Sequence, residues 1–412
     1  MDNVTHSLAG MLVAEAVCTF RSEARRELRQ AAYLLSALAN NLPDIDVVYS
    51  SWLTGPKPLG SLLHHRGHTH TLLFALLGAW ALYFIALRLL SRKGFSSGER
   101  RVLLGLCLAG PLLHLGMDLG NNYGVHPFWP VSGRWLYGDT IFIVEPLWWA
   151  LTIPILAARI ARRWLRLLLW ILLGTLLVIC WFVPFVVPAS RFVLLLVTAL
   201  GVAVARFGSA RACLAFAGAG CLVVALVFRL GSVRAKAALR DATEAAFPAL
   251  EPYDMAATPM PGNPACWEGL VVGEQGGTYR VLRAKVSLPP LALTSCSAGD
   301  DVDPTAPVKQ LDRPVRNGVK WLTEYQAELA ELRALRQRDC RFRALLKFTR
   351  LPYASFTRGT GSSSRLLKAG DLRYDRARDQ DFSDIELGEA VKDACPRFVP
   401  DWAEPRADLL AP

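Results

Sequence analysis

The segment HHRGHTHTLLFALLGAWALYFIALRLL, residues 64–90, joins a dense group of histidines directly to a long apolar run. A helix needs about 20 apolar residues to cross the bilayer core, and residues 71–90 meet that length. Four of the seven histidines of the chain lie between residues 64 and 70, and none follows residue 126. The segment therefore predicts a membrane helix that begins beside a functional site.

The composition of the whole chain also indicates a membrane protein. Its 412 residues are 52% hydrophobic, which is too apolar for an ordinary soluble protein of this size. Four further apolar segments predict membrane helices, at residues 141–158, 165–187, 192–205 and 212–230. Three shorter segments that carry polar groups either face lipid or pack against neighbours, at residues 4–20, 31–42 and 102–116. We therefore expect a mainly α, polytopic membrane helical bundle with about eight embedded helices.

A different composition begins near residue 235, where charge rises and the apolar runs stop. This change predicts two domains, a membrane-embedded helical domain over residues 1–234 and a small soluble α+β domain over residues 235–412. Within the second domain, residues 270–286 predict a β-hairpin around a Gln-Gly-Gly turn. The periodicity of residues 320–349 predicts a helix.

The nine cysteines fall into two groups. Four lie in the predicted soluble domain and can form two disulfides if that domain is outside the cytoplasm: Cys266, Cys296, Cys340 and Cys395. The others lie in apolar segments, where we expect them to pack as small apolar side chains: Cys18, Cys107, Cys180, Cys213 and Cys221.

Lysine and arginine are distributed unevenly between the loops. They concentrate at residues 21–29, 88–101, 159–166 and 206–211, which the positive-inside rule places in the cytoplasm. The alternate loops and the soluble domain are then predicted on the non-cytoplasmic side of a bacterial-type inner membrane. Basic residues at 229–240 run against this rule, although a long following domain weakens it.

Under this topology, the ionisable residues of the first 145 positions meet at one membrane face and can form a single site. Imidazole is the commonest nitrogen ligand of zinc, and carboxylates also bind divalent cations. The candidate metal ligands are His6, Asp44, His64, His65, His70, His114, Asp118 and His126. We expect one or two divalent ions, with zinc favoured.

Each of these residues also has a purely structural explanation. The alternatives are an interfacial polar residue for His6, turn chemistry for Asp44 and Asp46, a surface pH sensor for the histidine cluster, a hydrogen-bonded pair in a packed core for His114 and Asp118, and a place in the interfacial aromatic belt for His126.

Four motifs occur in order: THSLAG (5–10), LPDID (42–46), HHRGHTHT (64–71) and HLGMDLGNNYG (114–124). Together they resemble the family of LexA-binding, inner-membrane-associated, metal-dependent hydrolases, over about residues 1–130. The resemblance implies a site formed by His6, Asp44, Asp46, His65, Arg66, His70, His114 and Asp118. His68 stands at a variable position of the pattern, and Thr71 replaces the usual serine. The spacing is more distantly similar to zinc-dependent phospholipase C and single-strand nucleases, which implies cleavage of phosphoesters.

The predicted chemistry is hydrolysis by metal-activated water. We expect Asp46 to act as the general base and Arg66 to bind an anionic oxygen of the substrate. Glu145 interrupts an apolar segment, so its carboxylate needs a partner such as the metal or Arg66, and we include it among the catalytic residues. The expected substrate is a phosphoester or another ester, either a small molecule or a lipid-linked compound at the membrane surface.

The alternative function is that of a non-enzymatic membrane protein, either a transporter or a scaffold with a structural metal site. A transporter would place ionisable groups at mid-membrane, and a structural site would be closed by four ligands. The net charge of +11 does not indicate direct nucleic-acid binding, because anionic headgroups account for the basic residues of the cytoplasmic loops. Membrane lipids are the expected partners.

Overall fold

The computed structural model describes residues 1–21, 25–54, 57–289, 296, 307–358, 365–374, 382–387 and 395–411. Ten helices precede the first strand in these residues. They are α1 (Asn3–Phe20), α2 (Arg26–Asn41), α3 (Ser50–Leu53), α4 (Lys57–His64), α5 (Leu72–Leu89), α6 (Ser97–Leu119), α7 (Pro146–Arg159), α8 (Arg163–Phe182), α9 (Pro188–Phe207) and α10 (Ala210–Ala246). Short 3-10 turns at Pro43–Val48 and His68–His70 follow α2 and precede α5.

Five of the described helices are long and apolar enough to cross a membrane: α5, α6, α8, α9 and α10. Each of the eight segments predicted as embedded contains a helix, but a count of about eight membrane-spanning helices is not confirmed. The helix predicted at residues 141–158 begins only at Pro146, and α7 has 14 residues, which is shorter than a membrane span. Its side chains at Ala150, Ile153 and Leu156 are fully buried, so α7 is an internal helix.

The outer helices have the opposite burial. Large apolar side chains of α5, α8, α9 and α10 are exposed, including Leu77, Ile171, Leu196 and Leu222. Such a surface is stable in lipid, whereas in water it would be an extended apolar patch. The exposed sides of these helices are therefore the surface that faces the bilayer.

The second part of the chain contains two antiparallel sheets. The larger has the strand order β1-β2-β3-β5-β4, with β1 (Glu251–Met260), β2 (Asn263–Gln275), β3 (Thr278–Ser287), β4 (Lys309–Gln310) and β5 (Val319–Glu328). The smaller contains β6 (Pro352–Arg358), β7 (Arg365–Asp371) and β8 (Ile385–Glu386). Three short helices complete this part of the chain: α11 (Leu329–Arg338), α12 (Cys340–Leu345) and α13 (Ala407–Leu410).

The hairpin predicted at residues 270–286 is confirmed, because β2 and β3 pair on either side of the Gly276–Gly277 turn. The helix predicted at 320–349 is wrong over its first third, where β5 pairs with β3. Trp321, Thr323 and Tyr325 are buried at every second position, which is the period of a strand, and Glu324 is also buried because it pairs with Arg280. The helical periodicity is real only from Leu329 onward.

The two parts of the molecule are joined without a break. Helix α10 is continuous across the predicted boundary at residue 234 and continues to Ala246, so the change in composition there lies within a helix. Arg350 donates to both carboxylate oxygens of Asp139 and to Asp254, and Lys236 of α10 donates to Asp139 at 2.6 Å. The sheet domain is thereby attached to the loop between α6 and α7.

The cysteines pair as the sequence allows. Disulfides join Cys266 to Cys296 and Cys340 to Cys395. The five cysteines of the helices are unpaired, and four of them are buried. Both disulfides therefore stabilise the sheet domain, and the remaining cysteines pack inside the helical part.

Candidate metal centre

Four donor atoms from three separate segments converge on one point. They are Asp44 Oδ1, His70 Nε2, His114 Nε2 and Asp118 Oδ2, and all lie within 4.8 Å of one another. Five of the six distances between them are 3.1, 3.3, 3.4, 3.4 and 3.6 Å. Ligands of a tetrahedral zinc ion lie about 3.3–3.4 Å apart when each is about 2.0–2.1 Å from the metal. The donor set fits a divalent cation of this size.

The local sequence explains how each donor reaches this point. His114 and Asp118 are four residues apart on α6 and therefore project from the same side of the helix. Pro43 begins the 3-10 turn that carries Asp44 away from the axis of α2. His70 ends the second 3-10 turn, immediately before Thr71 caps α5.

Two glycines let the helices approach closely enough for these donors to meet. A Cβ atom on Gly10 of α1 would lie 2.4 Å from the Ser36 carbonyl oxygen of α2. A Cβ atom on Gly110 of α6 would lie 2.5 Å from Cβ of Ala39, also on α2. Both contacts are too short for any larger residue, so α2 is held between α1 and α6 beside the site.

Hydrogen bonds orient the two central imidazoles. His114 Nδ1 donates to the Asn40 carbonyl oxygen at 2.6 Å, which directs Nε2 toward the other donors. His70 Nδ1 lies 3.2 Å from Asp46 Oδ2, an arrangement in which a carboxylate fixes the ring on the side away from the metal. Metal-ligating histidines commonly have such partners.

Asp46 connects this group to a second one formed by Asp44, Asp46 and His65. Asp46 is fully buried and accepts hydrogen bonds from His65 Nδ1 at 2.9 Å, from the backbone N–H of Arg66 at 2.9 Å and from the Thr69 hydroxyl at 2.6 Å. Burial opposes ionisation, but hydrogen bonds from His65 and His70 hold the pKa of Asp46 well below its usual value. These contacts suit a carboxylate that positions both histidines.

His70 carries the clearest electrostatic signature among these residues. Burial alone would lower its pKa, but the adjacent carboxylates of Asp118, Asp44 and Asp46 raise the pKa to about 10. Three carboxylates around one ring create a strong demand for positive charge, which a proton satisfies when no cation is bound. Binding of a metal would displace that proton.

Arg66 lies on the far side of Asp118. Its guanidinium donates to Asp118 Oδ1 at 3.0 Å and to Asn121 Oδ1 at 2.9 Å, and it stacks 4.7 Å from the ring of Tyr123. The backbone φ of Arg66 is 58°, an uncommon conformation for a residue with a side chain. Arg66 therefore orients Asp118 in this structure.

His6 completes this side of the cluster. Its ring stacks on that of His114 with centroids 3.7 Å apart, and its Nε2 lies 3.3 Å from Asp118 Oδ1. The amino group of Met1 also contacts Asp118. The six residues Asp44, Asp46, His65, His70, His114 and Asp118 are called the His/Asp cluster below, with His6 and Arg66 packed directly against it.

Three sequence-predicted site residues lie elsewhere. His64 Nε2 is 2.8 Å from the Thr54 hydroxyl, and the ring of His126 packs against Trp135 and Trp402. Glu145 is fully buried at the start of α7, where it accepts hydrogen bonds from the backbone N–H groups of Leu147 and Gly262. Burial raises the pKa of Glu145 to about 7. Its partners are backbone amides, and it belongs neither to the converging donors nor to the partners of Arg66.

Other residues also take part in the site, although they are not among the predicted site residues. Asn40 and Asn121 each accept a hydrogen bond from a site side chain, Thr69 donates to Asp46, and Tyr123 stacks on Arg66. Thr69 and Asn121 lie within the four motifs and Asn40 lies two residues before LPDID, so their position was a usable signal. Met1 lies outside the four motifs, so its contact with Asp118 could not be expected from them.

The comparisons with known proteins support the membrane assignment. Residues 1–187 match the model of a protein family described as YdjM inner membrane protein. This range contains the whole His/Asp cluster and ends between α8 and α9. No curated protein and no solved structure matches the chain. The similarity is to an inner-membrane family, while hydrolase activity and LexA binding stay predictions.

Proposed function

We propose that the protein is a membrane-embedded, metal-dependent hydrolase that cleaves a phosphoester or another ester at the membrane surface. The observation that carries this proposal is the near-tetrahedral arrangement of Asp44, His70, His114 and Asp118 beside a second group that contains the accessible His65. The side chain of His65 is 27% exposed, whereas His70 and His114 are fully buried. The cluster thus has a closed side and an open side.

A bound zinc ion supplies a hydroxide at neutral pH, because it lowers the pKa of bound water from about 15.7 to about 7. The chain's own residues organise that chemistry. Asp46 holds the rings of His65 and His70, and Arg66 holds Asp118 while it adds positive charge beside the centre. Asp44 belongs to both donor groups, so the residues of the cluster could hold a second ion beside the first.

The substrate class follows from the position of the cluster. His70 directly precedes α5, and His114 and Asp118 lie in the last two turns of α6, so the cluster is at the end of two membrane-length helices. A lipid-linked ester would reach this level in the bilayer without leaving it. The two disulfides and the basic loops at the opposite end of the helices support a non-cytoplasmic position for the cluster and the sheet domain.

A second candidate function is that of a scaffold with a structural metal ion. The complete burial of His70, His114 and Asp118 favours it, because structural zinc sites are closed by four protein ligands. The open edge at His65 argues for the hydrolase, since a structural ion needs no further accessible donor beside it.

The two candidates are separated by measuring metal content and hydrolysis on the same preparations. Wild-type protein, His65→Ala, Asp118→Ala and the matched control His68→Ala are purified in detergent, analysed for bound metal, and assayed with phosphomonoesters, phosphodiesters and carboxylic esters. His68 is exposed and lies outside both donor groups.

For a hydrolase, His65→Ala retains the ion of the four-donor group and loses turnover, Asp118→Ala loses both, and His68→Ala keeps both. A full complement of metal without turnover of any ester in the wild type would favour the scaffold. Wild-type protein that binds no divalent metal would overturn both candidates.

A further inference from the structure

The most exposed apolar side chains near the His/Asp cluster come from three loops. They are Val47, Val48 and Trp52 after α2, Phe128 and Val131 after α6, and Phe398 near the C-terminus, and each is more than half exposed. Trp52 is 78% exposed and Val131 is 92% exposed. These six residues are called the apolar rim.

The three loops are neighbours in space, although they are far apart in sequence. The Thr54 hydroxyl donates to the Arg397 carbonyl oxygen at 2.9 Å, which joins the first loop to the third. The backbone N–H of Ala403 donates to the Gly133 carbonyl oxygen at 3.0 Å, which joins the third loop to the second. The three loops that carry the rim are therefore in direct contact with one another.

The rim is also continuous with the lipid-facing surface of the helices. The backbone N–H of Leu72, the first residue of α5, donates to the Pro127 carbonyl oxygen at 2.9 Å, so Phe128 lies level with the start of that helix. Leu72 and Leu73 are exposed as well, and they begin the exposed side of α5. The apolar surface thus extends past the end of a membrane-length helix onto the loops.

The cluster and the rim are parts of the same loop. Asp44 and Asp46 alternate with Ile45, Val47 and Val48 in the 3-10 turn, so the donors point inward while the apolar side chains are exposed. Exposed apolar patches on a protein that already resides in a bilayer are most simply covered by lipid, and tryptophan favours the interfacial region.

We propose that the apolar rim is immersed in the interfacial layer of the membrane and holds the open edge of the His/Asp cluster at the level of the lipid headgroups. The partner of this surface is the lipid itself, not a second protein. The inference concerns the surface beside the site and does not depend on turnover, so it is tested separately from the proposed function.

The experiment places single cysteines at the rim in the full-length protein. Val48→Cys, Trp52→Cys and Phe398→Cys are labelled with an environment-sensitive fluorophore and reconstituted into phosphatidylcholine vesicles that carry a nitroxide near the glycerol backbone. The control is Tyr253→Cys, an exposed aromatic position on β1 that lies about 20 Å along the strand from Met260, next to the turn that contacts Glu145. Labelled wild-type protein serves as the blank for its unpaired cysteines.

Immersion predicts that the lipid nitroxide lowers fluorescence at the three rim positions by about twofold or more, with little effect at position 253. Aqueous iodide should quench the label at position 253 more strongly than the labels at the three rim positions. Efficient iodide quenching at the rim without lipid quenching would overturn the proposal. Protection of the rim from both quenchers would indicate a covering protein and would overturn the proposal. Lipid quenching at position 253 equal to that at the rim would also overturn it, because the rim would then be no more immersed than the control.

Discussion

Helix α1 carries a buried polar residue near each end, and the two have opposite surroundings. His6 packs on the His/Asp cluster, whereas Glu15, about 13 Å further along the helix, lies among arginines. Glu15 accepts hydrogen bonds from Arg159 at 2.8 Å and from the Tyr33 hydroxyl at 2.7 Å, and Arg29 pairs with its second oxygen. These four residues are called the Glu15 cluster.

The difference lies in charge balance. In the Glu15 cluster, one buried carboxylate meets two guanidinium groups and a phenol, so its charge and its acceptor sites are fully matched. In the His/Asp cluster, three carboxylates lie close together, with the Arg66 guanidinium and the Met1 amino group both at Asp118, and two imidazole Nε2 atoms approach each other to 3.1 Å. A buried group that is matched by its neighbours is structural, whereas several donors around one point could hold a cation.

The largest effect should come from removing one of the four converging donors. His114→Gln keeps the size of the side chain but lacks a good metal ligand, and we expect bound metal to fall from about one ion per chain to below about a tenth. Metal analysis after dialysis measures this, with Glu15→Gln as the control that retains its metal. Retention of metal by His114→Gln would contradict the role assigned to the cluster.

A change in the Glu15 cluster should act on stability alone. Glu15→Ala leaves Arg29 and Arg159 without their partner, and we expect a loss of about 2–3 kcal/mol, at the low end for a broken buried pair because both arginines are about one-third exposed. Thermal or denaturant unfolding in detergent measures the loss. Metal content should be unchanged; if it falls in parallel, the two clusters are not independent.

The hydrogen bond between Asp46 and His70 predicts that this carboxylate positions the imidazole for metal binding. Asp46→Asn keeps the shape but removes the carboxylate that holds His65 and His70, and loss of such a partner typically weakens metal affinity by about 10–100-fold. Competition with a chelating indicator measures the affinity. His68→Ala should bind as tightly as the wild type, and an unchanged affinity for Asp46→Asn would show that the rings need no such support.

The smallest effect concerns Glu145, a buried carboxylate that pairs with backbone amides and lies outside both clusters. Because burial raises its pKa from 4.5 to about 7 in the folded protein, its stabilising contribution is complete below about pH 4.5 and is lost as the pH rises through about 7. The melting temperature should therefore fall by about 3 °C over this window beyond the trend of Glu145→Gln, which does not titrate. Parallel pH profiles of the two proteins would refute the assignment.

Much of the helical part was predictable because its signals are local. Apolar runs gave the positions of α5, α8, α9 and α10, and the Gln-Gly-Gly turn gave the β2–β3 hairpin. The predictions of secondary structure failed where packing against neighbouring elements, not the local sequence, decided the structure. Residues 141–158 are as apolar as a membrane helix, but α7 is surrounded by other helices. Residues 320–328 have mixed periodicity, and pairing with β3 makes them a strand.

The candidate site was predictable in its chemistry but not in its exact membership. His64 and His65 are adjacent at the end of α4, and a helix turns about 100° per residue, so one ring reaches Thr54 and the other Asp46. His126 and Glu145 are polar residues in the same region, but they meet aromatic rings and backbone amides. Nothing in the spacing of the motifs distinguishes these outcomes.

The order of residues alone determined where the long apolar helices lie and which side chains are available as donors, because apolar length and the i, i+4 spacing of His114 and Asp118 act within one element. Only the tertiary structure decided which donors share a point. That choice depends on the close contacts of Gly10 and Gly110 with α2, since a shift of one or two ångströms between these helices would separate the donor atoms beyond the reach of one ion.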